Sequence, residues 1–337
     1  MRRRTILLSA TALGAGLWLA RSLARRPKIP LRSRVVVITG GSRGLGLMLA
    51  REFGRRGARI AICGRNERAL ERATADLSAR GIETFARRCD VRERAEVTAF
   101  IAAVRSRFGG LDVLVNNAGT IEVGPASTMT ESDYADALRT HFWGPYYAVE
   151  AALPELMQAK RGCIVNVVSI GGLVAIPHLL PYSASKFALA GYSLGLRAEL
   201  AAKNVAVTTV CPGLMRTGSA RNAWFKGQQA AEYAWFSLGA ALPLTSASAT
   251  SAARRIVDAT ARAETLVVLT LQAQLLATVQ HLFPSLTLRV LEIVARILPG
   301  EKREGNGAKR GYDSESPLSQ SFLNVLARRA EAELNQR

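Results

Sequence analysis

The sequence predicts an α/β chain built on a doubly wound parallel sheet. Short β-branched runs alternate with amphipathic helical stretches from Arg34 onward, glycine-rich turns follow several of the runs, and the motifs that carry chemistry fall where the runs end. The 337 residues are 49% hydrophobic and only 21% charged, enough apolar mass to bury one large core with appendages. A formal net charge of +19 suits an anionic surface, a nucleic acid or an anionic cofactor, and composition alone does not choose among them.

The first element stands apart. Residues 5–20 (TILLSATALGAGLWLA) are uncharged and lie between MRRR and a basic stretch holding Arg21, Arg25, Arg26, Lys28, Arg32 and Arg34. This is short of the roughly 20 residues of a spanning helix, but flanking arginines reach the interfaces by snorkelling. The reading is a hydrophobic anchor over 1–32, with membrane association through residues 5–20 and the following domain kept on the cytoplasmic side. A cleaved signal with a site at Ser22-Leu23-Ala24, a twin-arginine-type leader and a soluble arm are the alternatives.

From Arg34 the units follow in order. RVVVITG is a strand and LGLMLAREFGRR a helix; ARIAICG and NERALERATADLSARG repeat the pair; ETFARRCDV, a helix through Phe108, and LDVLVNNAG repeat it again. The turn TGGSRGLG (39–46) ends the first strand and opens the first helix. Gly40, Gly44 and Gly46 there let bare backbone approach a pyrophosphate, whose charge meets the helix N-terminus. Thr39, Ser42, Arg43 and Leu45 complete the candidate loop. After the second strand an NAD site usually places a carboxylate against the ribose, whereas Cys63-Gly64-Arg65-Asn66 has an arginine and no acid. With Arg43 close by, this predicts NADP(H), because a planar guanidinium matches a 2′-phosphate. Asp90 and Val91 are candidates for the adenine edge, and Asn117, Ala118 and Gly119 for the cofactor face of the fourth strand.

With TGGSRGLG, CDV, LVNNAG, Ser169 of IVNVVSIGG, YSASK (182–186) and CPGLMRT (211–217), the sequence resembles the short-chain dehydrogenases/reductases over roughly residues 33–262. The resemblance implies a Rossmann-like catalytic domain, hydride transfer between a nicotinamide and a carbonyl or alcohol, and a catalytic group of Ser169, Tyr182 and Lys186. It also implies cofactor contacts at Pro212, Gly213 and Thr217. On a helix, residues i and i+4 share a face, so Lys186 lies under the Tyr182 hydroxyl. Lowering a phenol from pKa 10 to about 7 needs roughly 4 kcal/mol, which an ammonium at about 4 Å supplies at an effective dielectric of about 20. Tyr182 is thereby expected to be a usable acid–base group and, with Lys186, a cofactor contact. Where the family usually has asparagine, three residues before Gly144, this chain has His141. The expectation is a substitute in a proton relay, one that titrates near 6.5 and fails at mildly acid pH; the alternative is a helix-packing histidine with the relay carried by backbone and water.

The stretch 213–244 reads as a lid, and its aromatics (Trp224, Phe225, Tyr233, Trp235, Phe236) suggest a bulky apolar, lipid- or steroid-like substrate, or else simple packing. TLVVLT is the last expected strand of the catalytic domain (33–272). Two apolar helices broken at Pro284 form an extension (273–300) suited to packing on the sheet edge or to a homo-oligomer contact, with a membrane surface as the alternative. A polar linker and a terminal amphipathic helix fill 301–337. The four cysteines, without a CxxC pair, read as buried thiols rather than a disulfide frame or metal site. No nucleic-acid motif accompanies the basic charge. The rival to an enzyme is a nucleotide-binding regulatory or scaffold protein of the same fold with little turnover.

Overall fold

The run Val35–Thr39 is buried along its whole length, which a strand tolerates only when helices cover both faces of its sheet. A computed structural model describes residues 28–241, 246–302, 307–317, 319 and 325–336. In chain order the elements are β1 (Val35–Thr39), α1 (Gly44–Arg55), β2 (Arg59–Gly64), α2 (Glu67–Ala79), β3 (Thr84–Arg88), α3 (Arg94–Phe108), β4 (Val113–Asn116) and β5 (Glu122–Val123). They continue with α4 (Glu131–Leu138), α5 (Gly144–Gln158), β6 (Gly162–Val167), α6 (Leu180–Glu199), β7 (Val205–Cys211), β8 (Leu214–Arg216) and β9 (Trp224–Phe225). Then come α7 (Gln229–Ala241), β10 (Ser246–Ser248), α8 (Ala249–Ala261), β11 (Leu266–Val268), α9 (Leu271–Leu282), α10 (Pro284–Ile297), β12 (Lys309–Arg310) and α11 (Val325–Glu333).

Seven strands form one parallel sheet in the order β3-β2-β1-β4-β6-β7-β11. Successive β1 side chains alternate between its faces. Val36 and Ile38 pack with Leu49 and Phe53 of α1 and Ile256 and Val257 of α8. Val35 and Val37 pack with Phe100 and Val104 of α3 and Ala152 and Leu156 of α5. The winding reverses between β1 and β4, where Val36 pairs with Val113 and Ile38 with Val115. Helices diverge there and leave a crevice at the carboxyl ends of the strands. The glycine loop closes that crevice tightly: Gly40 sits at φ +65°, and a Cβ on Gly46 would fall 2.2 Å from the Gly40 carbonyl oxygen. All four cysteines are free and buried, as composition suggested.

The C-terminal part holds the differences from expectation. The stretch read as a polar linker contains β12, which pairs antiparallel with β9, while β9 pairs parallel with β5. These three short strands form a second sheet beside the cleft. Ala330 and Leu334 are buried against Ala249 and Met48, so the terminal helix packs back on the domain. Pro284 opens α10 as expected, and the α9–α10 pair leaves Leu271, Leu275, Ile293 and Ile297 exposed. The membrane location expected from the sequence is corrected: among the described residues no helix is long and apolar enough to cross a membrane. The segment 5–20, on which that expectation rested, lies outside the described residues.

Candidate active site

Helix α6 starts with Pro181 in its first turn and carries Tyr182 and Lys186 one turn apart on the face turned to the sheet. Lys186 is 4% exposed, and its Nζ donates to the Val167 carbonyl at 2.9 Å, at the end of β6. The same ammonium lies 5.7 Å from the centre of the Tyr182 ring. Ser169 follows β6 and its hydroxyl accepts the Gly171 N–H at 3.0 Å; a Cβ on Gly171 would fall 3.1 Å from the Tyr182 ring and 3.5 Å from Ser169 Oγ, so the two side chains flank the same glycine. The structure thus brings Ser169, Tyr182 and Lys186 together.

The electrostatics differ from the sequence argument. Burial pushes the Tyr182 phenol above its ordinary value, with the Ser169 hydrogen bond opposing. Burial also brings Lys186 down to about 7. Counting only the lysine's charge predicted a depressed phenol; desolvation disfavours the charged form of both groups, and in this pocket it is the larger effect.

A cavity of about 680 Å³ runs from the glycine loop to these three residues. Gly40, Ser42, Arg43, Gly44 and Leu45 line one end, with Arg65 and Asn66 from the end of β2 and Asp90 and Val91 from the end of β3. Asn117, Ala118 and Gly119 line the middle, and His141, Ser169, Tyr182, Lys186, Pro212, Gly213 and Thr217 the far end. Thr39 and Gly46 stand behind this wall. Thr39 Oγ1 accepts the N–H groups of Asn117 (3.0 Å) and Ala118 (3.1 Å), so it ties β1 to β4. Asp90 is held by Arg92 at 2.7 Å, which together with a backbone N–H keeps its carboxyl below the usual range despite burial.

Sequence reasoning missed part of the wall. Asn222, Arg310, Tyr312 and Gln336 all line the cavity, and the last three come from the segment read as linker and terminal helix. Nothing in the local sequence marked them: Lys309–Arg310 forms a two-residue strand without β-branched or aromatic residues.

The short chain dehydrogenase profile matches residues 34–226, more than half of the chain. The chain belongs to the short-chain dehydrogenase family. Among curated relatives, a putative ketoacyl reductase of Streptomyces coelicolor is 37% identical over 163 residues, 48% of this chain and 62% of that protein. The 3-oxoacyl-[acyl-carrier-protein] reductase of Staphylococcus aureus is 34% identical over 152 residues, covering 45% and 61%. The matches thus span less than two thirds of the length of these relatives. Among solved structures, an actinorhodin polyketide ketoreductase with NADPH has a TM-score of 0.63 at 30% identity, covering 70% of this chain and 95% of that one. A short chain dehydrogenase/reductase from Burkholderia phymatum with NAD has a TM-score of 0.71 at 25% identity, covering 77% and 96%.

The lid of this short-chain dehydrogenase has a packed part and an open part. Phe225, Tyr233 and Phe236 of the lid are buried against one another, with ring centres 5.3 and 6.0 Å apart, and so hold the lid to the domain. Trp224 is the lid aromatic that faces open space, in a side chamber of about 280 Å³ shared with Arg65, Arg92, Glu122, Tyr182 and Arg310.

His141 sits in a π-helical turn, Arg139–Trp143, and is 1% exposed. The Thr120 N–H donates to Nε2 at 3.1 Å, which places the ring proton on Nδ1, 2.7 Å from Ser185 Oγ. Ser185 in turn donates to the Tyr182 carbonyl at 2.8 Å. Burial first, and the Lys186 charge second, hold His141 well below 6.5, so the protonation expected at mildly acid pH is moved lower.

Because unfolded histidine takes a proton near 6.5 and folded His141 does so only at lower pH, the unfolded state binds more protons as pH falls below 6.5. Stability is therefore full above about 6.5 and declines below it, by up to about 1.4 kcal/mol per pH unit from this one group. Urea denaturation between pH 7.5 and 5.5 should show a shallower decline in His141→Asn than in the wild type; equal slopes count against the assignment.

Proposed function

We propose that the chain is an NADP(H)-dependent oxidoreductase that moves hydride between the nicotinamide and a carbonyl or secondary alcohol. The observation that carries this reading is the convergence of Ser169, Tyr182 and Lys186 on the wall of the cavity that also contains the glycine loop. The donor set fits a dinucleotide: bare backbone at Gly40, the N-terminus of α1, and the guanidiniums of Arg43 and Arg65 at the end expected to take the ribose. The absence of an acid in Cys63-Gly64-Arg65-Asn66 supports NADP(H) over NAD(H). The ketoacyl reductase relatives and the NADPH-bound solved relative point the same way.

In this reading Asp90, Val91 and Asn66 flank the adenosine, the glycine loop meets the pyrophosphate, and Pro212, Gly213 and Thr217 flank the nicotinamide. The bound nicotinamide supplies the hydride in reduction and accepts it in oxidation. Ser169 donates a hydrogen bond to the substrate oxygen on which charge builds. Tyr182, kept protonated by burial, delivers its proton to that oxygen in reduction and recovers one in oxidation. Lys186, steered by the Val167 carbonyl, stabilises the phenolate whenever it is protonated. His141 fixes Thr120 and the start of α6 through Ser185, a positioning role. The substrate carries no apolar restriction in this reading, because Phe225, Tyr233 and Phe236 pack against one another and the side chamber that Trp224 and Tyr182 share is lined by charged groups.

Tyr182→Phe is expected to lower turnover of ketone panels with NADPH by roughly 10²- to 10⁴-fold while nucleotide binding by fluorescence titration stays nearly constant; turnover within tenfold of wild type rules the tyrosine out as proton donor. Arg65→Asp is expected to weaken NADPH binding about tenfold and to leave NADH binding equal or tighter. An unaltered NADPH/NADH ratio would remove Arg65 from the 2′-phosphate.

A further inference from the structure

Three guanidiniums, those of Arg43, Arg65 and Arg310, line one cavity, and among the described residues none of them has a carboxylate within ion-pair distance. Arg310 lies outside the segment matched by the family profile. It is carried in by the pairing of β12 with β9 and lies 3.7 Å from the centre of the Trp224 ring, a cation–π contact that fixes its plane. Arg310 donates to the Asn222 carbonyl at 2.6 Å, and Arg43 donates to Asn222 Oδ1 at 3.0 Å, so one residue aims both cations. Arg65 faces the same two cavities as Arg310.

Like charges lining one cavity repel, and an anion that joins them removes that cost. Burial depresses both Arg43 and Arg310; repulsion from Arg310 and Arg65 adds to it at Arg43, and at Arg310 repulsion from Arg65 adds while Tyr312 and Asp313 oppose. We propose that Arg310 is a third phosphate-binding guanidinium, contributed by the C-terminal segment and set with Arg43 and Arg65 to hold the 2′-phosphate of NADP(H). This rests on the nucleotide reading of the cleft.

Titration of NADPH and NADH fluorescence with the full chain and with Arg310→Gln tests it. The expected result is about a tenfold loss of NADPH affinity with NADH changed less than about twofold. Arg310→Lys, which keeps the charge and loses the stacked plane, should lose less than Arg310→Gln and controls for disruption of β12. No loss, or an equal loss for both nucleotides, overturns the proposal. Failure of the wild type to bind either nucleotide overturns the reading beneath it instead.

A different set of contacts carries a second inference. The Leu334 carbonyl accepts the Gly44 N–H at 2.9 Å, at the first turn of α1. The Asn335 side chain donates to the carbonyls of Ser42 (2.7 Å) and Ala69 (2.9 Å). Gln336 is 7% exposed; it donates to the Thr217 carbonyl at 3.0 Å and accepts from Asn222 Nδ2 through its side chain at 2.9 Å. A Cβ on Gly44 would fall 2.7 Å from Gln336 Nε2. The tail therefore bridges the glycine loop and the lid, using neutral carbonyls where a helix N-terminus favours an anion.

We infer that residues 334–336 are a built-in competitor of the dinucleotide pyrophosphate. Competition divides the intrinsic dissociation constant by the fraction of chains with the tail released, and so raises the apparent one. Deletion of residues 334–337, and separately the double substitution Asn335→Ala and Gln336→Ala, should tighten NADPH and NADH alike, by roughly fivefold. The double substitution keeps Leu334 in its apolar seat and so controls for damage to α11. Unchanged or weaker binding overturns the inference, and absence of nucleotide binding in every form overturns the nucleotide reading.

Discussion

The hydrogen-bonded junction between β1 and β4 is the constraint on which the rest of the site depends. Thr39 Oγ1 accepts two successive N–H groups from Asn117 and Ala118, and Asn117 Nδ2 returns bonds to the carbonyls of Thr39 and Gly40. These bonds lie where the winding of the sheet reverses, so the glycine loop and the end of β4 are held as the two lips of one crevice. Each bond is worth only about 1 kcal/mol net. Their value is positional: breaking them would leave buried backbone groups unpaired and let the loop drift from the strand ends.

The Lys186 side of the crevice is assembled against the grain of solvation. Lys186 and His141 are buried, and burial favours the neutral form of each. The chain tolerates this by giving each polar atom a partner, Val167 for the ammonium and Thr120 and Ser185 for the imidazole. Such sites are maintained by the stability of the surrounding sheet, here the two apolar layers on either face of β1. A buried pair whose ionisation is so strongly shifted belongs to the pattern expected of acid–base sites.

The C-terminal segment reshapes the cleft from outside the family-matched part. One portion adds β12 to the small sheet with β9 and β5, and another lays the chain end across the start of α1. Both meet at Asn222, whose carbonyl, amide oxygen and amide nitrogen contact Arg310, Arg43 and Gln336 respectively. A single lid residue thus links the glycine loop, the added strand and the tail.

Much was legible in local patterns. The period-two and period-3.6 runs set the order of strands and helices, Pro284 marked the break between α9 and α10, and the glycines of the first turn marked the crevice, because these signals come from backbone sterics and apolar spacing that act within a few residues. The same holds for Tyr182 and Lys186, whose helical spacing alone puts them on one face. What the linear pattern did not contain was environment. It left open whether the lid aromatics face a substrate or pack, and the structure divides them, Phe225, Tyr233 and Phe236 packing together and Trp224 lining the side chamber; it counted the lysine's charge on Tyr182 and not the burial of both; and it left residues 301–317 as a linker. Burial and pairing depend on segments far apart in the chain, as Arg310 with Trp224 or Leu334 with Gly44, so desolvation and long-range contacts were decided only when the tertiary structure brought those segments together.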